Sequence, residues 1–330
     1  MRGMKALFTG LAAGISAVAL FATTAAQAAW PERPVQVIVP WAAGGGTDAT
    51  GRIIAKMLQD EFKQPFNVVN RTGGGGVVGH AAIAQAPADG YTIGVMTIEI
   101  GTFKWLGQSN LSGAKDFTPI ALYNFDPGAF YVAADSPFKD AKDVINALKT
   151  NPRVYKLASG SSVGGAWHMA FGSLLLKVGI DPGQFNWIAS QGAAPALQEL
   201  VAGGTDIVPC SLPEAKALLD AGKIKAMAVL NTERLPAYPN VPTSKEAVGV
   251  EVQAGAWRGI GGPKGMPEEA TKKLIAAMEK IHKSEEFRKF MADRGFGLMW
   301  KAGPDFAKFM EESEAESGQV LKAIGLAKSS

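Results

Sequence analysis

Val35-Gln36-Val37-Ile38-Val39-Pro40-Trp41-Ala42-Ala43-Gly44-Gly45-Gly46-Thr47-Asp48 is the stretch from which the fold is read. Val35, Val37 and Val39 alternate with Gln36 and Ile38, which predicts a strand ending at Pro40. Beyond the glycines, Ile53, Ile54, Met57, Leu58 and Phe62 fall on one helical face, with Thr47 or Asp48 as the expected N-cap. A glycine loop that opens a helix offers unpaired backbone N–H groups and the positive end of the helix dipole. That combination attracts an anion, for example a carboxylate. The unit then repeats. Asn67 to Arg71 predicts a strand, Gly73-Gly74-Gly75-Gly76-Val77-Val78-Gly79 a second loop, and Val77 to Gln85 a helix. After a turn at Pro87-Ala88-Asp89-Gly90, Tyr91 to Thr97 predicts a third strand. The order strand, loop, helix, strand, loop, helix, strand implies a largely parallel sheet with helices on its faces.

The same design returns later in the chain. Tyr155 to Ser159 predicts a strand, Gly160-Ser161-Ser162-Val163-Gly164-Gly165 a small-residue loop, and Trp167 to Val178 a helix. Trp187 to Ser190, Asp206 to Pro209 and Ala226 to Leu230 predict further strands, with helices at Pro195 to Ala202 and after Ser211-Leu212-Pro213-Glu214. Pro236, Pro239 and Pro242 mark an extended stretch, and Trp257 to Gly262 predicts a crossover strand. Helices are expected at Pro267 to His282, Glu285 to Arg294 and Pro304 to Ile324. Two α/β lobes of similar design follow, each ending its strands in small-residue loops. Ligands of open α/β sheets sit off such strand ends, and two facing lobes make a cleft.

Composition narrows the function. The 330 residues are 47% hydrophobic and 19% charged, as in a globular chain. The formal charge is +3, of which Arg2 and Lys5 supply two, too little for a nucleic-acid partner. Met1 to Lys5 is a short basic region, Leu7 to Thr24 is apolar, and Ala26-Gln27-Ala28 has the form of a signal-peptidase site. Export to the periplasm is expected, with cleavage after Ala28. The alternative reading, a retained membrane anchor, fits the Ala- and Thr-rich run and the clean cleavage site less well. The single cysteine, Cys210, excludes an intrachain disulfide and a cysteine-based zinc site. His80, His168 and His282 stand far apart in sequence, so no metal is expected, nor any other cofactor.

Two motifs point elsewhere. Gly74 to Gly79 satisfies G-x-G-x-x-G after a strand, with Glu99 downstream. The strand before it is polar, whereas a central dinucleotide-binding strand is apolar on both faces. Gly160-Ser161-Ser162-Val163-Gly164 satisfies G-x-S-x-G, which would make Ser162 the nucleophile of a periplasmic serine hydrolase. Its required downstream histidine would be His282, in the charged stretch Glu279-Lys280-Ile281-His282-Lys283 that reads as a solvated face, or His168 just behind the loop.

Trp30-Pro31-Glu32-Arg33-Pro34-Val35, Gly44-Gly45-Gly46-Thr47-Asp48, Asn70-Arg71 with its glycines, and Pro87-Ala88-Asp89-Gly90-Tyr91-Thr92 occur in order. Asp116-Phe117-Thr118-Pro119-Ile120, Gly192-Ala193-Ala194-Pro195-Ala196-Leu197, Val241-Pro242-Thr243 and Trp257-Arg258-Gly259 follow. Together they resemble the periplasmic solute-binding proteins of tripartite tricarboxylate transporters, the Bug or TctC-like family, over essentially the whole chain after the leader. The resemblance implies a non-enzymatic, two-lobed α/β binding protein (type II, Venus flytrap) with crossover strands between lobes. Lobe 1 is then 29–125 plus 255–330 and lobe 2 is 126–254. A monomer is expected, with a small organic carboxylate (di-, tri- or aromatic) as ligand and a two-component membrane permease as partner.

The resemblance also places the site. Two lobe 1 loops pin the ligand carboxylate, here Ala43, Gly44, Gly45, Thr47 and Asp48 beside Trp41, and Gly74, Gly75 and Gly76. Lobe 2 contributes Ser161, Ser162, Gly164 and His168, and Ser211 of the Ser211-Leu212-Pro213 loop. Thr72 stands where the family usually has proline, and Ser162 where glycine is common. Glu99 falls at the cleft mouth, where an acid does not suit a bare tricarboxylate; it binds a ligand ammonium or hydroxyl, stays protonated, or turns outward. Asp48 is either a helix N-cap or a ligand contact. Arg258 is open to three roles: pairing with an anionic ligand, with Glu99, or with solvent. Trp41, Trp167 and Trp257 either pack in the core or form an aromatic wall to the pocket.

Overall fold

The computed structural model describes residues 30–328. The expected leader, with its cleavage point after Ala28, lies outside the described residues. Ten strands organise the described residues: β1 (Val35–Val39), β2 (Phe66–Asn70), β3 (Thr92–Thr97), β4 (Phe117–Ala133), β5 (Leu157–Ala158), β6 (Trp187–Ile188), β7 (Val208–Ser211), β8 (Ile224–Val229), β9 (Gly255–Pro263) and β10 (Leu298–Ala302). Eight of them form one sheet, in which six run β10-β4-β9-β3-β1-β2 and both β7 and β8 pair with β4. β1 pairs in parallel with both β2 and β3, as the repeated strand-loop-helix unit predicts. The sheet turns antiparallel where β9 enters, because β9 pairs with β3 on one side and β4 on the other. It is therefore a mixed sheet rather than the largely parallel one expected from the N-terminal repeat.

β1 lies between two neighbours and is covered on both faces. Val35, Val37 and Val39 join Ile54 and Leu58 of the helix Gly46–Phe62 and Leu274 and Met278 of the helix Glu268–Lys283. Ile38 points the other way, towards Ile83, Met96, Phe103 and Phe306. β2 is the edge strand, which accounts for the polar Asn67 and Asn70.

β4 is the element that joins the lobes. Residues Phe117 to Pro127 pair with β9. From Gly128 onward the same strand lies between β7 and β8 in the second lobe. Its alternating residues feed both faces there. Phe130 and Val132 pack with the helices Ala141–Thr150 and Ala166–Lys177, whereas Ala129 and Tyr131 pack with the helices Ala193–Val201 and Leu212–Asp220. The C-terminal helix Gly303–Ala323 lies along β4, and Ile324 just past its end packs in one cluster with Leu106 and Met169.

Most helices and strands lie within a few residues of their expected positions, and Glu285–Arg294 matches at both ends. Thr47 and Asp48 are not the N-cap of the first helix. Gly45 holds that position without a side-chain cap, and the Asp48 carboxylate accepts the Gly44 N–H at 3.0 Å from inside the first turn. His282 is buried, not solvated: its ring packs 4.9 Å from Trp300, in the angle between helix Glu268–Lys283 and β10. No helix among the described residues is long and apolar enough to cross a membrane.

Gly259, in β9, shows how closely the joining strand is packed. A Cβ there would strike the Phe306 ring and lie 2.8 Å from the Ala121 carbonyl oxygen. Gly259→Ala should cost about 1–3 kcal/mol of stability. Urea denaturation checks this, and an unchanged midpoint would show that the strand can yield.

Candidate ligand-binding cleft

Three helix N-termini converge between the lobes. Gly45 and Gly46 open the helix Gly46–Phe62, Ala166 and Trp167 open Ala166–Lys177, and Gly192 and Ala193 open Ala193–Val201. They surround a cavity of about 30 Å³, room for roughly two water molecules. Trp41, Trp167 and Trp257 form much of its apolar wall. Thr47, Thr97, Glu99, Ser161, Glu214 and Arg258 supply its polar groups. Any larger solute has to part these walls.

Arg258, on β9, is the centre of the polar network. It is 2% exposed. Its Nε donates to Thr47 Oγ1 at 3.0 Å and its Nη1 to Asn124 Oδ1 at 2.6 Å and to Asp126. Its Nη2 donates to Glu214 Oε1 at 3.0 Å. Asp126 is held in turn by Asn124 Nδ2 and the Gly297 N–H, each at 2.9 Å. Burial works against the guanidinium charge, but the Asp126 and Glu214 carboxylates overcome it and hold Arg258 protonated.

Two carboxylates reach across the cleft in opposite senses. Glu214, from the second lobe, accepts the Gly46 N–H of the first lobe at 3.2 Å while forming a capping box with Ser211. Glu99, from the first lobe, accepts the Ala166 N–H of the second at 3.1 Å and the Thr97 hydroxyl at 2.6 Å. Each acid therefore sits at the positive end of the opposite lobe's helix. Burial pushes both carboxyls above the usual carboxylate range; hydrogen bonds oppose this at Glu99, and Arg258 opposes it at Glu214. Behind Glu99, His80 donates from Nδ1 to the Gly76 carbonyl at 2.8 Å and accepts the Thr97 N–H on Nε2 at 3.3 Å. Burial pushes this imidazole down to about 4, so it is neutral at physiological pH. A further backbone link, Ala42 N–H to Gln191 O at 3.0 Å, closes the lobes at the rim.

Trp41, Gly45, Thr47, Glu99, Ser161 and Trp257 line the cavity. Ala43 and Gly44 lie in the loop just outside it. Asp48 is turned to Gly44, Arg52 and Asn70, where it orders the loop. Burial raises its carboxyl, but Arg52, the Gly44 N–H and Asn70 outweigh this and hold it below the usual range. Gly74, Gly75 and Gly76 form a short 3₁₀ turn beside the cleft, where Gly75 faces Ser162 of the other lobe. His168 Nδ1 accepts the Gly164 N–H at 2.7 Å, which closes the loop on itself, and among the described residues no hydrogen bond joins Ser162 to a histidine. Ser211 caps its own helix.

Arg258 pairs with Asp126 and Glu214, not with Glu99 or solvent. Asp126 was not legible as a partner of this network, and Glu214 was expected at the cleft only as the end of the Ser211–Glu214 segment. Ser211-Leu212-Pro213-Glu214 signals a capping box, which marks Glu214 as a helix-start residue and hides its second role. Ala193 at the third helix start was visible only as part of a sequence motif.

Residues 50–326 match the tripartite tricarboxylate transporter family receptor, and the chain belongs to that family. Its fold is that of a two-lobed periplasmic solute-binding protein. The chain is similar to the periplasmic binding protein BugD at 26% identity, with a TM-score of 0.84 over 91% of this chain and 100% of that one. It is similar to Rpa4515 of R. palustris, solved with adipate, at 28% identity and a TM-score of 0.83 over 90% of this chain and 99% of that one. MatC from Rhodopseudomonas palustris, solved with bound malate, is 28% identical, with a TM-score of 0.79 over 88% of this chain and 100% of that one.

Removing Arg258 would leave Asp126 and Glu214 buried without their cation. Arg258→Ala should cost about 3–5 kcal/mol, read by urea denaturation; a loss typical of a surface site would show that water compensates. Glu99 binds its proton more tightly in the native state than in the unfolded chain. Its stabilising contribution is therefore full below pH about 4.5 and is lost as pH rises through the native value. Melting temperatures of the wild type should fall relative to Glu99→Gln between pH 5 and pH 8. A difference that does not change with pH would rule this out.

Proposed function

We propose that this protein captures a small organic carboxylate between its lobes and delivers it to a two-component membrane permease. The observation that carries this is the convergence of three helix N-termini, drawn from both lobes, on one narrow cavity. Two of these ends already hold carboxylates of the protein itself, Glu214 on Gly46 and Glu99 on Ala166. The third, at Gly192 and Ala193, has no side-chain cap. Ser161, on the same cavity wall, has a buried hydroxyl without a hydrogen-bond partner. An incoming carboxylate supplies an acceptor to both. Relatives of the same fold solved with adipate and malate support an organic acid as ligand.

Entry and release follow from a hinge. The lobes divide at 29–125 plus 255–330 and 126–254, a division that cuts β4 and falls just before β9. Rotation about these two strands opens the cleft, and closure on the solute presents the form a permease recognises. We infer that the protein works as a periplasmic monomer after loss of residues 1–28, and that it performs no chemistry on its ligand.

A thermal-shift screen of mono-, di-, tri- and aromatic carboxylates tests the reading, which fails if none raises the melting temperature. Gly45 sharpens it. A Cβ there has 3.7 Å of clearance to the nearest atom, so the fold tolerates a side chain at the cavity wall. Gly45→Val should keep the wild-type melting temperature yet weaken calorimetric affinity at least about tenfold, because its side chain takes up space on the wall of a cavity that already has to part for a solute. Unchanged affinity would make the loop a structural turn only.

A further inference from the structure

The cleft carries an unusual balance of charge for a protein that takes up organic acids. Three buried carboxylates, Glu99, Asp126 and Glu214, stand against one buried cation, Arg258, which pairs with only the latter two. Asp126 is fully engaged by Arg258, Asn124 and Gly297, away from the cavity wall. Glu99 and Glu214 line the cavity itself, beside Arg258, whose single charge is shared between Asp126 and Glu214 and leaves the wall net negative. A second carboxylate on the ligand would approach two glutamates in a desolvated space, where like charges repel most strongly. The remaining wall is aromatic: Trp41, Trp167 and Trp257. Indole rings beside carboxylates suit a cation, as in sites that hold ammonium or quaternary ammonium groups.

The opposite part of the wall has the other character. Gly192 and Ala193 open a nine-residue helix with no side-chain cap. Ser161 stands on that wall, 3% exposed, with its hydroxyl unpartnered. Resting on the carboxylate reading above, we propose that the ligand is a small zwitterion, with its carboxylate at Gly192–Ala193 and Ser161 and its cationic nitrogen between Glu99, Glu214 and the tryptophans. In the closed structure Glu99 and Glu214 each take a helix N–H of the opposite lobe. Once the walls part to admit a ligand, the bonds to Ala166 and Gly46 open, and the freed carboxylate oxygens receive the N–H groups of an ammonium or face the charge of a quaternary nitrogen directly. The two acids then act as specificity determinants. They admit a carboxylate that brings its own positive charge and reject one that brings a second negative charge.

Isothermal titration with matched ligands tests this. The panel holds α- and ω-amino acids and glycine betaine, and beside each a monocarboxylate in which a methyl or tert-butyl group replaces the nitrogen group. It also holds dicarboxylates of equal length. The 4-aminobutyrate, pentanoate and glutarate set is one such group, and adipate and malate are included. At least one zwitterion should bind about tenfold or more tightly than its uncharged counterpart, and the dicarboxylates should bind worst. Glu99→Gln and Glu214→Gln should each narrow that preference several-fold, and circular dichroism checks that both variants fold. The wild-type profile decides the matter even if they do not. Dicarboxylates or plain monocarboxylates binding as tightly as every zwitterion would overturn the zwitterion reading and leave carboxylate capture standing. Binding by no member of the panel would remove both.

Discussion

A guanidinium buried between two lobes constrains everything around it. Arg258 is stable in the interior only because carboxylates meet it there. One, Asp126, comes from β4, the strand beside its own. The other, Glu214, comes from a helix of the opposite lobe. The contact between the lobes therefore completes the neutralisation of a charge that the joining strands carry. Gly46 permits this approach. A Cβ there would lie 2.8 Å from Glu214 Cγ and 3.0 Å from Arg258 Nη2. The glycine loop is thus shaped by a partner inside the protein.

Much of the fold could be read from the chain because its strands and helices keep their periods. Val35 to Val39 and the helix behind them announced the first unit, and the C-terminal helices followed from their apolar spacing. β4 did not read as a single strand. Pro119 and Pro127 interrupt it, and proline argues against a central strand. The structure accommodates Pro119 at a register shift and Pro127 at the point where pairing passes from β9 to β7 and β8. The edge position of β2 was likewise hidden, since a polar strand sequence says that one side is open but not why.

The cleft was less legible than the fold. Loops that end strands could be located, because glycine and small residues punctuate the sequence. Which side chains turn inward could not, because that depends on how two lobes meet. Asp48 and Glu99 are both acids beside glycine or strand-end segments. Asp48 folds back on its own loop, and Glu99 crosses to the other lobe. His282 shows the same limit: its charged neighbours on the helix surround a position that faces Trp300.

β4 and β9 have a further consequence, for the order in which the molecule can form. The inner edge of β3 pairs with β9, so Gly94 waits for Gly261, and β4 waits for β10. A chain made from its N-terminus holds β3 with an open, apolar edge, Val95 and Met96 included, throughout synthesis of the second lobe. The second lobe has all its own partners for β4 by the end of β8 and completes first. High contact order of this kind slows folding and leaves an edge open to mispairing. The lobe that begins the sequence is therefore the last to close.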